Sequence, residues 1–206
     1  MTEQLGRYPF VQPGDIFFTR GTGYLARAIR WAQRMQGEPE TWANHVGGVT
    51  SPGYLVPPRD KVGPRAKVSE ALWRTMHHHW WDAHKDEQGY AVAAYRPRHF
   101  TGNEGVNRVV ENWVSRTDDR YGWWRLFTYL IEKISAGKIP ATKLHFKKDR
   151  MVCSNHIAIG LVKDGIHIND HDPQELDPDE MQDYCATHPE EFKFIGQATV
   201  PARRVA

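Results

Sequence analysis

The sequence predicts an α+β fold formed as one domain over residues 1–206. Two observations support this prediction. Stretches typical of strands and stretches with helical periodicity are interspersed along the chain, and no internal repeat, low-complexity tract or linker separates them. Hydrophobic residues make up 40% of the chain and include eight tryptophans, which is enough for a sizeable core.

The predicted strands are short apolar or β-branched runs that begin or end at Gly and Pro turns. We expect strands over residues 14–20, 45–50, 66–72 and 90–96, and a short last strand over 192–196. The proline-rich segment 52–64 is interpreted as a loop or irregular hairpin. The segment 73–84, rich in tryptophan and histidine, is interpreted as a loop.

The predicted helices rest on periodicity and on end signals. Apolar residues recur at spacings of three and four over 105–117, at Val106, Val109, Val110, Trp113 and Val114. Asp177 followed by Pro178 and two acids is a strong helix start. Further helices are expected over 24–36, 123–134 and 153–163.

Charge and cysteine content exclude several classes of protein. The 27 Lys and Arg residues nearly balance the 25 Asp and Glu residues, so no nucleic-acid-binding surface is indicated. The two cysteines, Cys153 and Cys185, lack C-x-x-C spacing, which excludes a disulfide scaffold and a four-cysteine zinc site. Free thiols suit a reducing compartment, and Cys185 is interpreted as a core residue.

The beginning of the chain lacks a basic stretch followed by an apolar one, and no run of about eighteen apolar residues occurs. We therefore expect no signal peptide, no integral membrane segment and a cytoplasmic location. A role outside the cell would need another export route. The sequence leaves open the oligomeric state and whether the chain is encoded by a cell or a phage.

Cys153 stands at the start of a predicted helix, in Val152-Cys153-Ser154-Asn155-His156. The first backbone N–H groups of a helix have no intrahelical acceptor, and the helix dipole is positive at this end. Both effects favour the thiolate, which is the nucleophilic form of cysteine. The position therefore predicts a nucleophile, against the simpler interpretation of a buried structural thiol.

A cysteine nucleophile needs an imidazole base and a polar group that orients the imidazole. His45 opens the second predicted strand and Glu70 lies in the third. If these strands pair antiparallel, the two side chains share a face with Cβ atoms about 5 Å apart. A helix packed on that sheet would bring Cys153 to His45, and its first N–H groups could stabilise an oxyanion.

Five short motifs follow one another along the chain: Gly14-Asp15-Ile16-Phe17-Phe18, Asn44-His45-Val46-Gly47, Val68-Ser69-Glu70-Ala71, Tyr121-Gly122 and Cys153-Ser154-Asn155. Their ordered set resembles the circularly permuted NlpC/P60 proteins. These are papain-like cysteine amidases and peptidases that include YiiX-like and lecithin:retinol acyltransferase-like groups. The resemblance covers a core of about residues 13–163 and leaves a helical and strand extension over 164–206.

This resemblance implies a papain-like fold, with a central antiparallel sheet or small barrel packed against helices. It implies Cys153 as the nucleophile, His45 as the base and Glu70 as the orienting residue. The implied activity is hydrolysis of an amide bond in a peptide-like substrate, including cell-wall peptides, through a thioester acyl-enzyme. No cofactor and no metal are expected.

Four further residues are expected to contact the peptide or acyl-amide substrate. Tyr121, Asn44 and Ser154 lie in the matching motifs, although Asn44 replaces a more frequent serine and Gly122 replaces a more usual aspartate. Arg20, at a predicted strand end, suits a substrate carboxylate, with ordinary surface charge as the alternative.

The sequence also contains a rival base and two possible metal clusters. His156 lies one turn after Cys153 and therefore on the same side of the predicted helix. Imidazole and carboxylate groups are good zinc ligands, but a surface loop is the simpler interpretation of each cluster. The clusters are His77, His78, His79, Asp82 and His84, and then His167, Asp170, His171 and Asp172.

Two other functions remain open from the sequence. The first is a lipid-directed acyltransferase or thioesterase with the same site, motivated by the tryptophans of segment 73–84, Trp73, Trp80 and Trp81. The second is a non-enzymatic metal-binding or partner-binding module, motivated by the histidine clusters.

Overall fold

The computed structural model describes residues 8–24, 26–27, 30–31, 42–58, 63–72, 74–117, 152–169, 172–174 and 176–201. Its elements are, in chain order, β1 (Phe10–Val11), β2 (Ile16–Arg20), β3 (His45–Ser51), β4 (Gly53–Tyr54), β5 (Lys67–Ala71), β6 (Thr75–His79), α1 (Trp80–His84), β7 (Ala91–Pro97), α2 (Gly102–Ser115), α3 (Cys153–Val162), α4 (Pro178–Thr187) and β8 (Phe192–Thr199). The described residues between 24 and 31 are also helical. The predicted helix 123–134 lies outside the described residues.

The main sheet has six strands in the order β6-β5-β3-β2-β7-β8, and β1 pairs separately with β4. Every strand pairing is antiparallel. The predicted α+β class, with an antiparallel sheet packed against helices, is confirmed. Because β8 pairs along β7, the C-terminal segment completes the same sheet as the strands before it.

Each face of the main sheet carries its own hydrophobic cluster, as the alternation of side chains along a strand requires. In β2, Ile16 and Phe18 face the cluster that includes Trp113 of α2 and residues of α3 and α4. Phe17 faces the opposite cluster and packs edge-on against Trp80 of α1. The helix that carries Cys153 and the short helix α1 therefore lie on opposite faces of the sheet.

Close packing around Trp113 fixes the position of α3 against β3. A Cβ atom added at Gly48 would lie 2.5 Å from the Trp113 ring, and one added at Gly160 would also clash with that ring. The Trp113 indole N–H donates to the carbonyl of Ile157, 3.3 Å away. The two glycines thus let an indole fill the space between α3 and the sheet, which holds the helix that begins at Cys153.

The predicted strands over 14–20, 45–50, 66–72 and 90–96 are confirmed within one or two residues, and the last strand is longer than expected. The interpretation of segment 73–84 as a loop is wrong. Residues 75–84 form β6 and α1, because β6 pairs along the whole of β5, from Lys67 opposite His79 to Ala71 opposite Thr75. Pairing with a neighbouring strand outweighs the weak strand propensity of three consecutive histidines.

Candidate active site

The pairing of β3 with β5 places His45 and Glu70 side by side. Gly47 lies opposite Glu70, and His45 is two residues before Gly47 on the same face of the sheet. The His45 ring contacts the carboxylate through Nε2 and Oε2, 2.7 Å apart. Both side chains are buried, so this contact is shielded from solvent.

The first residue of α3 brings a thiol to the other side of the His45 ring. Cys153 follows the N-cap residue Val152, which provides no side-chain cap. The His45 ring and the backbone N–H groups of Val46 and Ser154 are the neighbours that act on the Cys153 thiol. Because Glu70 occupies Nε2 of His45, the free ring nitrogen for the sulfur is Nδ1.

The electrostatics of this contact favour an ion pair. Burial alone raises the pKa of Cys153, but the neighbouring His45 and the two backbone N–H groups bring it below the usual range. Burial alone lowers the pKa of His45, but the Cys153 thiolate and Glu70 outweigh burial and raise it to about 10. The two shifts act in the same sense, and both favour a thiolate–imidazolium pair over a neutral thiol and imidazole.

Glu70 is the centre of a group of histidines. Its side chain is fully buried, and Oε2 contacts His45 while Oε1 contacts Nε2 of His78 at 2.6 Å and Nε2 of His84 at 3.3 Å. Burial opposes ionisation of Glu70, but hydrogen bonds from the three rings hold its pKa well below the usual range. We call these four residues, His45, Glu70, His78 and His84, the Glu70 cluster.

His78 and His84 are not among the residues that the sequence predicts for the catalytic site. Alternation in a strand separates His78 from His77 and His79, so only the middle histidine of the triplet faces Glu70. His84 lies at the end of α1 and contacts Glu70 of β5, a contact between two elements that neither strand nor helix periodicity predicts. A strand prediction for residues 75–79 would have identified His78.

The ring of the rival base His156 is hydrogen-bonded to β5. Its Nε2 is 2.9 Å from the Ser69 hydroxyl, which donates in turn to the carbonyl of Trp113. Burial, together with the charges of Arg116 and His45, lowers the pKa of His156 to about 3. His156 is a neutral core residue on the side of the sheet opposite the Glu70 cluster, and this position favours His45 over the rival His156 as the base.

The residues expected to contact substrate differ in their exposure and in their partners. Arg20 is exposed at the end of β2, and Ser154 is buried in the first turn of α3. The Asn44 side chain accepts hydrogen bonds from the Gly21 backbone at 2.7 Å and from Arg30 at 3.0 Å, so it holds the chain beside His45. Tyr121 lies outside the described residues.

A buried carboxylate from α4 also holds the backbone segment that precedes His45. Oδ1 of Asp179 accepts the backbone N–H groups of Trp42 and Ala43 at 2.7 and 2.9 Å. Burial, with the nearby Asp183 and Asp177, raises the pKa of Asp179 to about 6. The C-terminal extension therefore holds the segment that enters β3.

Cys185 is a different kind of cysteine from Cys153. It is 1% exposed and packs in the cluster between α4 and the sheet. Burial raises the pKa of its thiol well above the usual value, so the thiolate is strongly disfavoured. The interpretation of Cys185 as a core residue is confirmed.

The described residues give little support to the two alternative functions, which were suggested by the tryptophans of segment 73–84 and by the histidine clusters. Trp80 is fully buried against Phe17, and Trp73 lies outside the described residues. Within the described part of the chain, no group of three or more His, Cys, Asp or Glu residues is arranged to hold a metal ion. Asp170 and His171 of the second cluster lie outside that part.

None of the helices among the described residues has the length and apolar character needed to cross a membrane.

No protein-family model matches the chain, and no curated protein sequence matches it. Among solved structures, the chain is similar to the crystal structure of metalloprotein YiiX from Escherichia coli O157:H7. The sequences are 15% identical, the match covers 96% of this chain and 99% of that one, and the TM-score is 0.48. A likeness of this strength does not define an activity.

Proposed function

We propose that the chain is a cysteine hydrolase that cleaves an amide bond in a peptide-like substrate, with cell-wall peptides as one candidate class. The main support is a continuous set of contacts from the Cys153 thiol through the His45 ring to the Glu70 carboxylate. A nucleophile, a base and an orienting group in this sequence form the arrangement that thiol-based acyl transfer requires.

In the proposed reaction the Cys153 thiolate attacks the amide carbonyl and forms a C–S bond. The tetrahedral oxyanion would accept hydrogen bonds from backbone N–H groups of the first turn of α3, which have no acceptor within the helix. The His45 imidazolium then donates its proton to the departing amine as the C–N bond breaks, which leaves a thioester and a neutral imidazole.

Hydrolysis of the thioester uses the same histidine in the opposite sense. Neutral His45 takes a proton from water, the hydroxide adds to the thioester carbonyl, and the Cys153 thiolate departs. The products are a carboxylic acid and the starting thiolate–imidazolium pair. Glu70 keeps the proton-bearing Nε2 of His45 directed away from the sulfur in both steps.

Replacing Cys153 with alanine tests this proposal. We expect Cys153→Ala to abolish hydrolysis of peptide amides and cell-wall peptide fragments, measured by release of new amino groups, while circular dichroism shows an intact fold. The matched control is Cys185→Ala, which removes the other buried thiol and should leave the rate per folded molecule unchanged. Amide hydrolysis that persists in Cys153→Ala would refute the mechanism.

A further inference from the structure

The carboxylate of Glu70 is held from the side that His45 does not contact. Oε1 faces His78 from β6 and His84 from α1, whereas Oε2 faces His45 from β3. An ionised carboxylate has about four lone-pair positions, so it can accept all three N–H groups at once. Glu70 is proposed to orient His45, but its own orientation also depends on His78 and His84.

His84 differs from the other rings because carboxylates face both of its nitrogens. Nε2 lies 3.3 Å from Glu70 Oε1, and Nδ1 lies 2.9 Å from Glu87 Oε1. Both nitrogens must carry a proton to donate to both carboxylates, and an imidazole with two protons is a cation. Burial lowers the pKa of His84, but the two carboxylates outweigh burial and raise it to about 9.

Aromatic packing fixes the His84 ring in this position. It stacks on Tyr90 with ring centroids 4.8 Å apart and an interplanar angle of 16°, and Trp80 contacts it at 4.8 Å. The ring is 4% exposed. The titratable groups that face it are Glu70, Glu87, His78 and Tyr90, whose hydroxyl hydrogen-bonds with Thr19.

We propose that His84 is a positioning residue of this site, a buried imidazolium that fixes the orientation and charge of Glu70 opposite His45. The proposal rests on the proposed function, because it assigns His84 a role in the Cys153–His45 pair. His84 touches neither the thiol nor a substrate and acts through Glu70 alone.

A cation at this position has a definite electrostatic effect on the pair. It makes the electrostatic potential at the pair more positive. This favours the negative charge of the Cys153 thiolate and disfavours the positive charge of protonated His45. Removing it should therefore raise the pKa of both groups. For unit charges about 8 Å apart at an effective dielectric constant of about 20, the expected shift is about one and a half pH units.

The test is the pH dependence of Cys153 alkylation by iodoacetamide, which needs no knowledge of the substrate. The rate is followed by mass spectrometry of the Cys153 peptide in the wild type and in His84→Gln, which removes the charge but keeps a hydrogen-bond donor. We expect the midpoints that report ionisation of Cys153 and of His45 each to move upward by about one and a half pH units. The matched control, His77→Gln, changes an exposed histidine of β6 and should leave the profile unchanged.

A second variant separates charge from packing. His84→Phe keeps an aromatic ring between Trp80 and Tyr90 but has no nitrogen that could be protonated. It should therefore shift the profile in the same direction as His84→Gln. If both folded variants keep the wild-type midpoints, His84 has only a packing role and the inference is wrong. If the wild-type midpoint is already that of an ordinary thiol, the proposed function fails instead.

The protonation state of His84 can also be read without any substitution. In ¹⁵N NMR of the wild type at pH 7.5, both ring nitrogens of His84 should show the shifts of a protonated imidazolium. A neutral ring would overturn the proposal. So would stoichiometric zinc binding that is lost in His84→Gln, because the ring would then be a metal ligand.

Discussion

Replacing Glu70 with alanine should destabilise the fold by about 3–5 kcal/mol at pH 6, the range for breaking a buried charge network from one side. The side chain is fully buried and accepts hydrogen bonds from three histidines. Its loss leaves the rings of the Glu70 cluster without their common acceptor. A loss of this size is a large part of the 5–15 kcal/mol by which a typical domain is stable.

The pH dependence of this loss follows from the pKa shifts. The pKa of Glu70 is depressed in the fold, so its contribution is present above its ordinary value of 4.5 and is lost as the pH falls further. The pKa of His84 is raised, so its contribution is full below 6.5 and is lost as the pH rises through about 9. The difference between wild type and Glu70→Ala should be greatest between about pH 5 and 6.5.

Urea unfolding at pH 6 and pH 9.5 measures this difference. Glu70→Gln keeps the shape of the side chain and should lose less stability than Glu70→Ala. The control is Glu190→Ala, which removes an exposed carboxylate and should change the free energy of unfolding by no more than about 0.5 kcal/mol. A loss in Glu70→Ala as small as that of the control would mean that the Glu70 cluster is not a stabilising network.

Replacing His45 with glutamine should convert Cys153 from a thiolate into an ordinary buried thiol. The imidazolium is the main group that lowers the pKa of Cys153, and burial opposes it. Without that charge, the midpoint for alkylation of Cys153 should rise to about 8.5 or higher. Amide hydrolysis should be lost together with the base that serves both steps of the proposed reaction.

The midpoint, rather than the rate at one pH, is the decisive quantity for His45→Gln. A thiolate of higher pKa is intrinsically more nucleophilic, and this partly offsets the smaller thiolate fraction. The matched control is His99→Gln, an exposed histidine that lies after β7 and should leave the midpoint unchanged. A low midpoint that survives in His45→Gln would show that the helix terminus alone activates the thiol.

The sequence predicted those parts of the fold that depend on local signals. The strands at 14–20 and 45–50 end at glycine and proline turns, and Asp177 with Pro178 marks the start of α4. The meeting of His45 with Glu70 followed from period-two alternation across paired strands. In each case the geometry follows from residues that are close together in the sequence or from the regular alternation of a strand.

The remainder of the candidate site depends on contacts between distant segments. β6 is stabilised by pairing with β5. Three consecutive histidines have low strand propensity and do not predict a strand. His84 reaches Glu70 from α1, and Asp179 reaches the segment before His45 from α4. His156 remained a rival base in the sequence because helical spacing gives proximity to Cys153 but not the direction of the ring, which Ser69 fixes.

The most direct test of the central claim is the alkylation rate of Cys153 in the wild type, measured from pH 4 to 11. The account predicts a midpoint below the value of about 8.5 for free cysteine, because His45 and two backbone N–H groups stabilise the thiolate. It predicts a second step near pH 10, where the His45 imidazolium loses its proton. A single step at pH 8.5 or above would contradict the account.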